Sequence, residues 1–350
     1  MQQVIITRKG LPEVLQLREV PEAHPAPGTV RIRVAAAGVN FADLMMRLGL
    51  YPDAPPLPAV PGYEVAGVVD AVGQGVADQR IGEEVVALTR FGGYSEQVCV
   101  PDQLAYPRPA GVTAAVGAAV PVNYLTAFQM LMVMARITEG DTVLVHGAAG
   151  GVGLAALQLC RLQGAQVIGS ASPSKHAFLR EQGVQTLIDS RQPNFAAEVR
   201  AATGGRGIDV ALEPRSGRWI MENYRALAKN GRLILFGFAN AAAGKNASRW
   251  AALKTLGQLP WISLNPIRLM NDSKAIGGVN LGRMWDRQQE VASWLKTLLS
   301  WLAKGRIQPR VDRTFSFAEA AQAHHYLHDR RNIGKVVLVP GRANTSQGEP

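Results

Sequence analysis

Thr142 to Gly153 read TVLVHGAAGGVG, and the order of residue types in this stretch decides the fold. The apolar run Val143, Leu144, Val145 stops at a cluster of small residues: Gly147, Ala148, Ala149, Gly150, Gly151 and Gly153. A helix-forming run from Leu154 to Leu162 follows at once. That order is strand, tight turn, helix. In a dinucleotide-binding βαβ unit the turn residues must be small so that the backbone can approach a pyrophosphate. The pyrophosphate then rests on unpaired N–H groups at the positive end of the helix dipole. The pattern here is A-x-G-x-x-G at Ala148, Gly150 and Gly153, with alanine at the first glycine of the usual fingerprint. Ordinary turns produce the same letters; the strand before and the helix after favour a nucleotide site.

Downstream of this turn, strands and helices alternate. Strand Gln166 to Ser170 is followed by helix Lys175 to Gln182, an apolar run Thr186 to Ile188 and a helix from Phe195 to Thr203. Strand Ile208 to Leu212, helix Trp219 to Leu227 and strand Arg232 to Phe236 come next, and Lys274 to Leu281 reads as one more strand. Such alternation predicts a parallel sheet covered by helices on both faces. Upstream, Thr29 to Ala36 (TVRIRVAA) alternates polar and apolar residues, and turns rich in Pro and Gly recur up to Pro109, which predicts a β-rich domain. The charge-free stretch Pro109 to Ala135 is long enough to span a bilayer, but Pro121 and the polar Asn123 and Thr126 favour two buried helices. Gln288 to Lys304 reads as an amphipathic helix. β texture then returns in Val311 to Phe317 and Gly334 to Val339, the last strand expecting a partner in the N-terminal β domain.

The chain has 350 residues, 47% of them hydrophobic and 18% charged, which suits a globular protein of two domains. Its net charge of +10 is spread without a basic run, so anionic small ligands are favoured over nucleic acid. The two cysteines, Cys99 and Cys160, are too few for a structural zinc site. The N-terminus, MQQVIITRKG, lacks the apolar core of a signal peptide, so a cytoplasmic location is expected. Five of the six tryptophans fall between Trp250 and Trp301, which marks the long link there as a lid, a subunit contact, or a buried connection.

The segments AAGVNFADLMMRLGLYP (36 to 52), PGYEVAGVV (61 to 69), PVNYLTAF (121 to 128), VLVHGAAGGVGLAALQL (143 to 159) and NIGKVVLVP (332 to 340) carry a resemblance covering nearly the whole chain. They resemble the zinc-free quinone oxidoreductases of the medium-chain dehydrogenase/reductase superfamily. The resemblance implies an α/β protein: a GroES-like β-rich domain from residues 1–121 and 308–342, a Rossmann domain with a doubly wound parallel sheet from 122–307, and a loose tail, 343–350. It also implies a homodimer and hydride transfer from NADPH to quinones or unsaturated carbonyl compounds, while the reading of 109–135 as two buried helices leaves no integral membrane span expected. An NADPH-bound, non-catalytic protein that binds a membrane or a partner is the reading from another class.

Zinc-dependent relatives place a cysteine and a histidine where this chain has Asn40 and Tyr63, the latter next to Glu64. A catalytic zinc needs about three protein ligands, so substrate activation falls to hydrogen bonding and placement. NAD-specific sites usually carry an acid at the end of the second Rossmann strand; here stand Ser170, Ala171, Ser172, Pro173, Ser174 and Lys175. Ser172 and Lys175 suit a 2′-phosphate, hence NADPH, although Ser172 to Ser174 also suit a helix cap. Ser190 stands where the family often has a tyrosine. The expected cofactor residues are Asn40, Asn123, Thr126, Ala149, Gly150, Gly151, Val152, Gly153, Ser170, Ser172, Lys175, Ser190, Phe236, Gly237, Phe238, Asn332 and Lys335. Asn40 and Tyr51 are expected beside the substrate carbonyl, with Tyr51 or Tyr63 as proton donor and no metal. Tyr51 packing on the proline-rich loop 52–61 is the equal alternative, and Asp43 either positions Asn40 or caps the helix 42–48.

Overall fold

The computed structural model describes residues 1–237 and 265–341. These residues form two compact units. The first takes Met1–Val122, Gln289–Gly305 and the chain from Pro309 onward; the second takes the stretch from Asn123 to Gln288 with Arg306–Gln308. The helix before Gly305 clusters with the first unit, whereas the resemblance implied that it belongs to the Rossmann domain.

The first unit opens with β1 (Gln2–Ile6) and β2 (Leu15–Glu19), which pair antiparallel, and continues through β3 (Thr29–Val39), α1 (Phe41–Leu48) and β4 (Glu64–Val72). β5 (Glu84–Leu88), β6 (Gln97–Pro101), β7 (Ala105–Pro107) and α2 (Ala114–Gly117) complete its N-terminal part, and α3 (Pro121–Phe128) starts at its end. The second unit holds β8 (Thr142–His146), α4 (Gly151–Leu162), β9 (Gln166–Ala171), α5 (His176–Glu181), β10 (Thr186–Asp189) and α6 (Phe195–Ala202). It goes on through β11 (Ile208–Glu213), α7 (Arg218–Ala226), β12 (Leu227–Leu235), α8 (Pro266–Asp272) and β13 (Ala275–Gly278). Then come α9 (Gln288–Ala303), β14 (Val311–Ser316), α10 (Ala320–His328) and β15 (Lys335–Val339).

In the first unit the seven-stranded sheet runs β14-β15-β3-β4-β5-β7, with β6 also on β3. Alternation in β3 buries Val30, Ile32 and Val34 and leaves Arg33 exposed; the buried set joins Val65, Val69, Val85, Phe315, Phe317, Val336 and Leu338 in one core. β15 does find its expected partner, pairing antiparallel with β3 at Val336↔Val39. The second unit has a six-stranded, all-parallel sheet of order β10-β9-β8-β11-β12-β13. Its central β8 is buried at every residue, as a strand covered on both faces should be. β12 begins earlier than the sequence pattern suggested, because Asn230 at φ 61° lets the strand carry a kink within AKNG.

The charge-free stretch forms α2, then α3 with Pro121 at its start, then one wider turn over Gln129–Met134. By length and composition alone, Ala114–Met134 is apolar enough to cross a membrane, but 67% of its 18-residue apolar window is buried inside the fold.

Candidate functional site

In the second unit β8 sits between β9 and β11, so the chain leaves it to one side first and reaches the other side later. Ligands of open α/β sheets bind at such switch points, beyond the carboxyl ends of the strands. The turn there is built tightly. Gly147 takes φ 60°, its carbonyl accepts the Gly150 N–H at 2.8 Å, and Gly150 caps α4. The first-turn N–H groups at Gly151, Val152 and Gly153 have no intrahelical acceptor. A Cβ on Gly153 would lie 2.3 Å from the Gly147 carbonyl oxygen, and one on Gly151 would lie 2.3 Å from Nδ2 of Asn123. Ala148 is fully buried and donates its N–H to the Ser170 carbonyl at 3.2 Å, so the replaced glycine has its methyl inside the fold.

Of the other predicted residues of this unit, Ser170, Ser190, Phe236 and Gly237 lie at or just beyond the carboxyl ends of the strands. Ser170, at the end of β9, is fully buried and its Oγ has no protein partner. Ser172 and Ser174 share a hydroxyl contact of 3.1 Å, and Ser172 makes no side-chain cap; Lys175 is half-buried in the same turn. Ser190 donates its N–H to Ala171, which sets it beside the end of β9. Phe236 donates its N–H to Glu213, Gly237 abuts Pro214, and Thr126 lies half-buried one turn beyond Asn123. Phe238 lies outside the described residues. No acid stands in the turn after β9, and the orphaned Ser170 hydroxyl, the free N–H groups and the glycine cradle fit a nucleotide with a pyrophosphate.

Sequence reasoning missed a buried polar group at the ends of β8 and β11. Glu213 accepts two hydrogen bonds from the Arg215 guanidinium at 3.0 Å, and the amide of Asn223 also donates to it. His146 meets Arg215 at 2.9 Å and Asn223 Oδ1 at 2.8 Å, while Arg215 stacks 3.7 Å over the Trp219 ring. Burial holds His146 down to about 4. Burial alone would raise the Glu213 carboxyl, but the Arg215 guanidinium and backbone N–H that donate to it hold it below the usual range. The only signal available was polarity at two strand ends, His146 and Glu213, which sheet pairing brings together.

In the first unit Asn40 caps α1. Its N–H donates to Asp43 Oδ2 at 2.8 Å and its backbone carbonyl accepts the Asp43 N–H at 3.1 Å, with no side-chain cap from Asn40 itself, so Asp43 both closes the start of the helix and fixes Asn40. Asp43 also accepts the Gly62 N–H at 2.9 Å and the Tyr94 hydroxyl at 3.1 Å, and Tyr94 reaches His324 at 3.3 Å. Burial pushes Asp43 up to about 7 against the pull of these donors. Asn40 Nδ2 donates to Glu64 Oε1 at 2.8 Å, and its Oδ1 accepts Lys335 Nζ at 2.6 Å. Lys335 also pairs with Glu64, both being buried. Glu64 takes the Val122 N–H as well, at 2.7 Å.

Lys335, expected near the cofactor, is therefore engaged with the group predicted to be catalytic. Asn332 is buried and donates to the Gly334 carbonyl at 2.7 Å, which shapes the entry to β15. Tyr51 stacks edge-on against Tyr63 at 5.8 Å, and Tyr63 lies 5.3 Å from Phe91. Tyr51, like Ala54 and Leu57 of the proline-rich loop, also packs against the small core of Ile6, Val14 and Met46. Burial raises the Tyr63 phenol far above its ordinary value, so it keeps its proton.

Among the described residues no group of three or more His, Cys, Asp or Glu side chains is placed to hold a metal. At the positions where zinc-dependent relatives bind metal stand an amide, a phenol, and a carboxylate tied to Lys335. This donor set does not fit a zinc ion.

Residues 26–110 match the alcohol dehydrogenase GroES-like domain, and residues 182–338 match the zinc-binding dehydrogenase family. The synaptic vesicle membrane protein VAT-1 homolog of Rattus norvegicus is 40% identical over 329 residues, 93% of this chain and 80% of that protein. The quinone oxidoreductase of the same organism is 31% identical over 343 residues, 97% of this chain and 98% of its own. A mycobacterial protein solved in complex with NADPH superposes with a TM-score of 0.85 at 31% identity, covering 97% of this chain and all of that one (100%). These similarities and the two sheets make the chain a member of the medium-chain dehydrogenase/reductase superfamily of oxidoreductases, close to the VAT-1 homologues.

Proposed function

We propose that this protein is an NADPH-dependent reductase of quinones that works by hydride transfer without a metal. The observation that carries the reading is the turn after β9. It offers a buried hydroxyl without a partner at Ser170, a hydroxyl pair at Ser172 and Ser174, and Lys175, with no carboxylate to repel a 2′-phosphate. The mycobacterial relative solved with NADPH and the quinone oxidoreductase of Rattus norvegicus support the cofactor and substrate classes.

Residues of the second unit would hold the cofactor. The first-turn N–H groups of α4 would take the pyrophosphate, and Asn123, over Gly151, would border the path toward the nicotinamide. Bound NADPH supplies a hydride equivalent. Tyr63 keeps its proton and, with Tyr51 edge-on beside it, would meet the carbonyl oxygen as charge develops on it. A quinone needs no more from the protein, because its product oxygen exchanges protons with water. Reduction of an activated carbon–carbon double bond needs a proton at carbon. The paired phenols of Tyr51 and Tyr63 are the candidate donors for that second reading.

The test follows NADPH absorbance with a benzoquinone, a naphthoquinone and an unsaturated aldehyde, with NADH in parallel. Quinone turnover with preference for NADPH is expected. Turnover of the aldehyde alone moves the assignment to double-bond reduction, and tight NADPH binding without consumption overturns both in favour of a binding protein.

A further inference from the structure

We propose that Lys335 and Glu64 clamp the Asn40 carboxamide in one orientation, so that Asn40 meets its ligand only as a hydrogen-bond acceptor. The role given to Asn40 rests on the reductase reading; the clamp rests on geometry within the first unit.

Sheet register creates the clamp. Val336 pairs with Val39, so one step on, Lys335 lies across from Asn40; Ala37 pairs with Val65, so Glu64 lies across from Gly38. Three adjacent strand ends thus bring a cation, an anion and an amide together. Gly38 makes room for them, since a Cβ there would lie 2.4 Å from Glu64 Oε1 and 2.7 Å from Lys335 Cε. All three side chains are buried, at 6% exposure for Asn40, 0% for Glu64 and 3% for Lys335.

The chemistry of the partners fixes the polarity. An ammonium only donates and a carboxylate only accepts. Asn40 Oδ1 faces the ammonium at 2.6 Å and Nδ2 faces the carboxylate at 2.8 Å. A flipped amide would set N–H against N–H and oxygen against oxygen. Both N–H bonds of Nδ2 are already used, one on Glu64 and a longer one on the Gly38 carbonyl at 3.4 Å. What remains for a ligand is the second lone pair of Oδ1. Asn40 therefore suits a group that donates, such as a ribose hydroxyl, a carboxamide N–H or the hydroxyl of a reduced product. It does not suit a bare carbonyl oxygen. Lys335 is then a positioning residue rather than a phosphate ligand.

The test uses three variants of the full chain, Lys335→Met, Glu64→Gln and the double substitution, with Asn40→Ser to assign the side-chain amide resonances of Asn40. In the wild type the two Asn40 side-chain protons are expected as one slowly exchanging pair; exchange at the rate of an exposed amide overturns the clamp. Each single variant is expected to lower kcat about a hundredfold, the effect of a displaced reacting group. The ratio of NADPH to NADH dissociation constants should stay at its wild-type value. The double variant, free of an unpaired charge, should melt above both singles. Loss of NADPH affinity in Lys335→Met with NADH affinity kept makes Lys335 a phosphate ligand and overturns the proposal, as does a double variant that melts below both singles. The exchange, affinity and melting measurements need no turnover, so they decide the clamp even where the reductase reading fails. A Kd for NADPH raised in Asn40→Ser assigns the donor to the cofactor, and an altered product inhibition assigns it to the reduced substrate.

Discussion

Gly153 shows how much a single residue carries in this turn. Its missing Cβ would lie 2.3 Å from the Gly147 carbonyl oxygen and 2.7 Å from the carbonyl of Ala148, both backbone atoms with nowhere to go. Gly150 is looser, its nearest neighbour being the Gly147 oxygen at 3.2 Å. Gly153→Ala is expected to cost about 1–3 kcal/mol of stability through overpacking, and to weaken NADPH binding more than tenfold by about the same free energy. Gly150→Ala should do visibly less on both counts. Denaturant titration and a fluorescence Kd check the pair, and equal effects would sink the argument. The glycines were legible in the sequence because their demand is local. Lys335 was not: its position depends on a strand 295 residues away along the chain, so the same lysine read as a surface cation near a phosphate.

At the scale of elements, the ends of β8 and β11 bring together the buried polar side chains of His146, Glu213 and Arg215, with Asn223 beside them. A neutral His146 satisfies its neighbours, with Nε2–H donating to Asn223 and Nδ1 accepting from Arg215. Its folded pKa, about 4, lies below the unfolded value near 6.5. As pH falls below about 6.5 the unfolded chain takes up a proton that the folded chain refuses, so stability drops until the pH reaches about 4. The loss is at most about 3 kcal/mol. Against a His146→Gln variant, the wild type should therefore lose stability faster between these two values, as read by denaturant midpoints across pH. Parallel slopes would mean that the imidazole is already protonated in the fold. The strands themselves were legible, since alternation of strand and helix is contiguous in sequence and β8 reads as an apolar run. The network was not, because strand pairing joins His146 to Arg215 and Asn223, 69 and 77 residues away. The clamp on Asn40 escaped for the same reason: Asn40 and Glu64 were noticed one at a time, and only the antiparallel register of β3 with β4 and β15 brings them and Lys335 into contact.

For the molecule as a whole, the edge of the parallel sheet raises the question of assembly. β13 is the last described strand of that sheet, a short run, AIGG, with no proline or charge to discourage pairing. Beside it α8 exposes Ile267 at 62% and Met270 at 69%, large apolar side chains facing water in the single chain. A four-residue edge alone is too small for a stable interface, which usually buries about 1,200–2,000 Å² in total. Edge pairing with the apolar face of α8 added makes a larger footprint, and a two-fold axis would make it self-complementary. The expected outcome is a homodimer, with a sedimentation mass twice the 37.5 kDa of one chain. Replacing Ile267 and Met270 together by aspartate should return the protein to monomer mass, and the core of each sheet should be untouched because neither side chain is buried. A wild-type mass of 37.5 kDa at every concentration would refute the dimer. A dimer that survives both aspartates would move the interface off this edge.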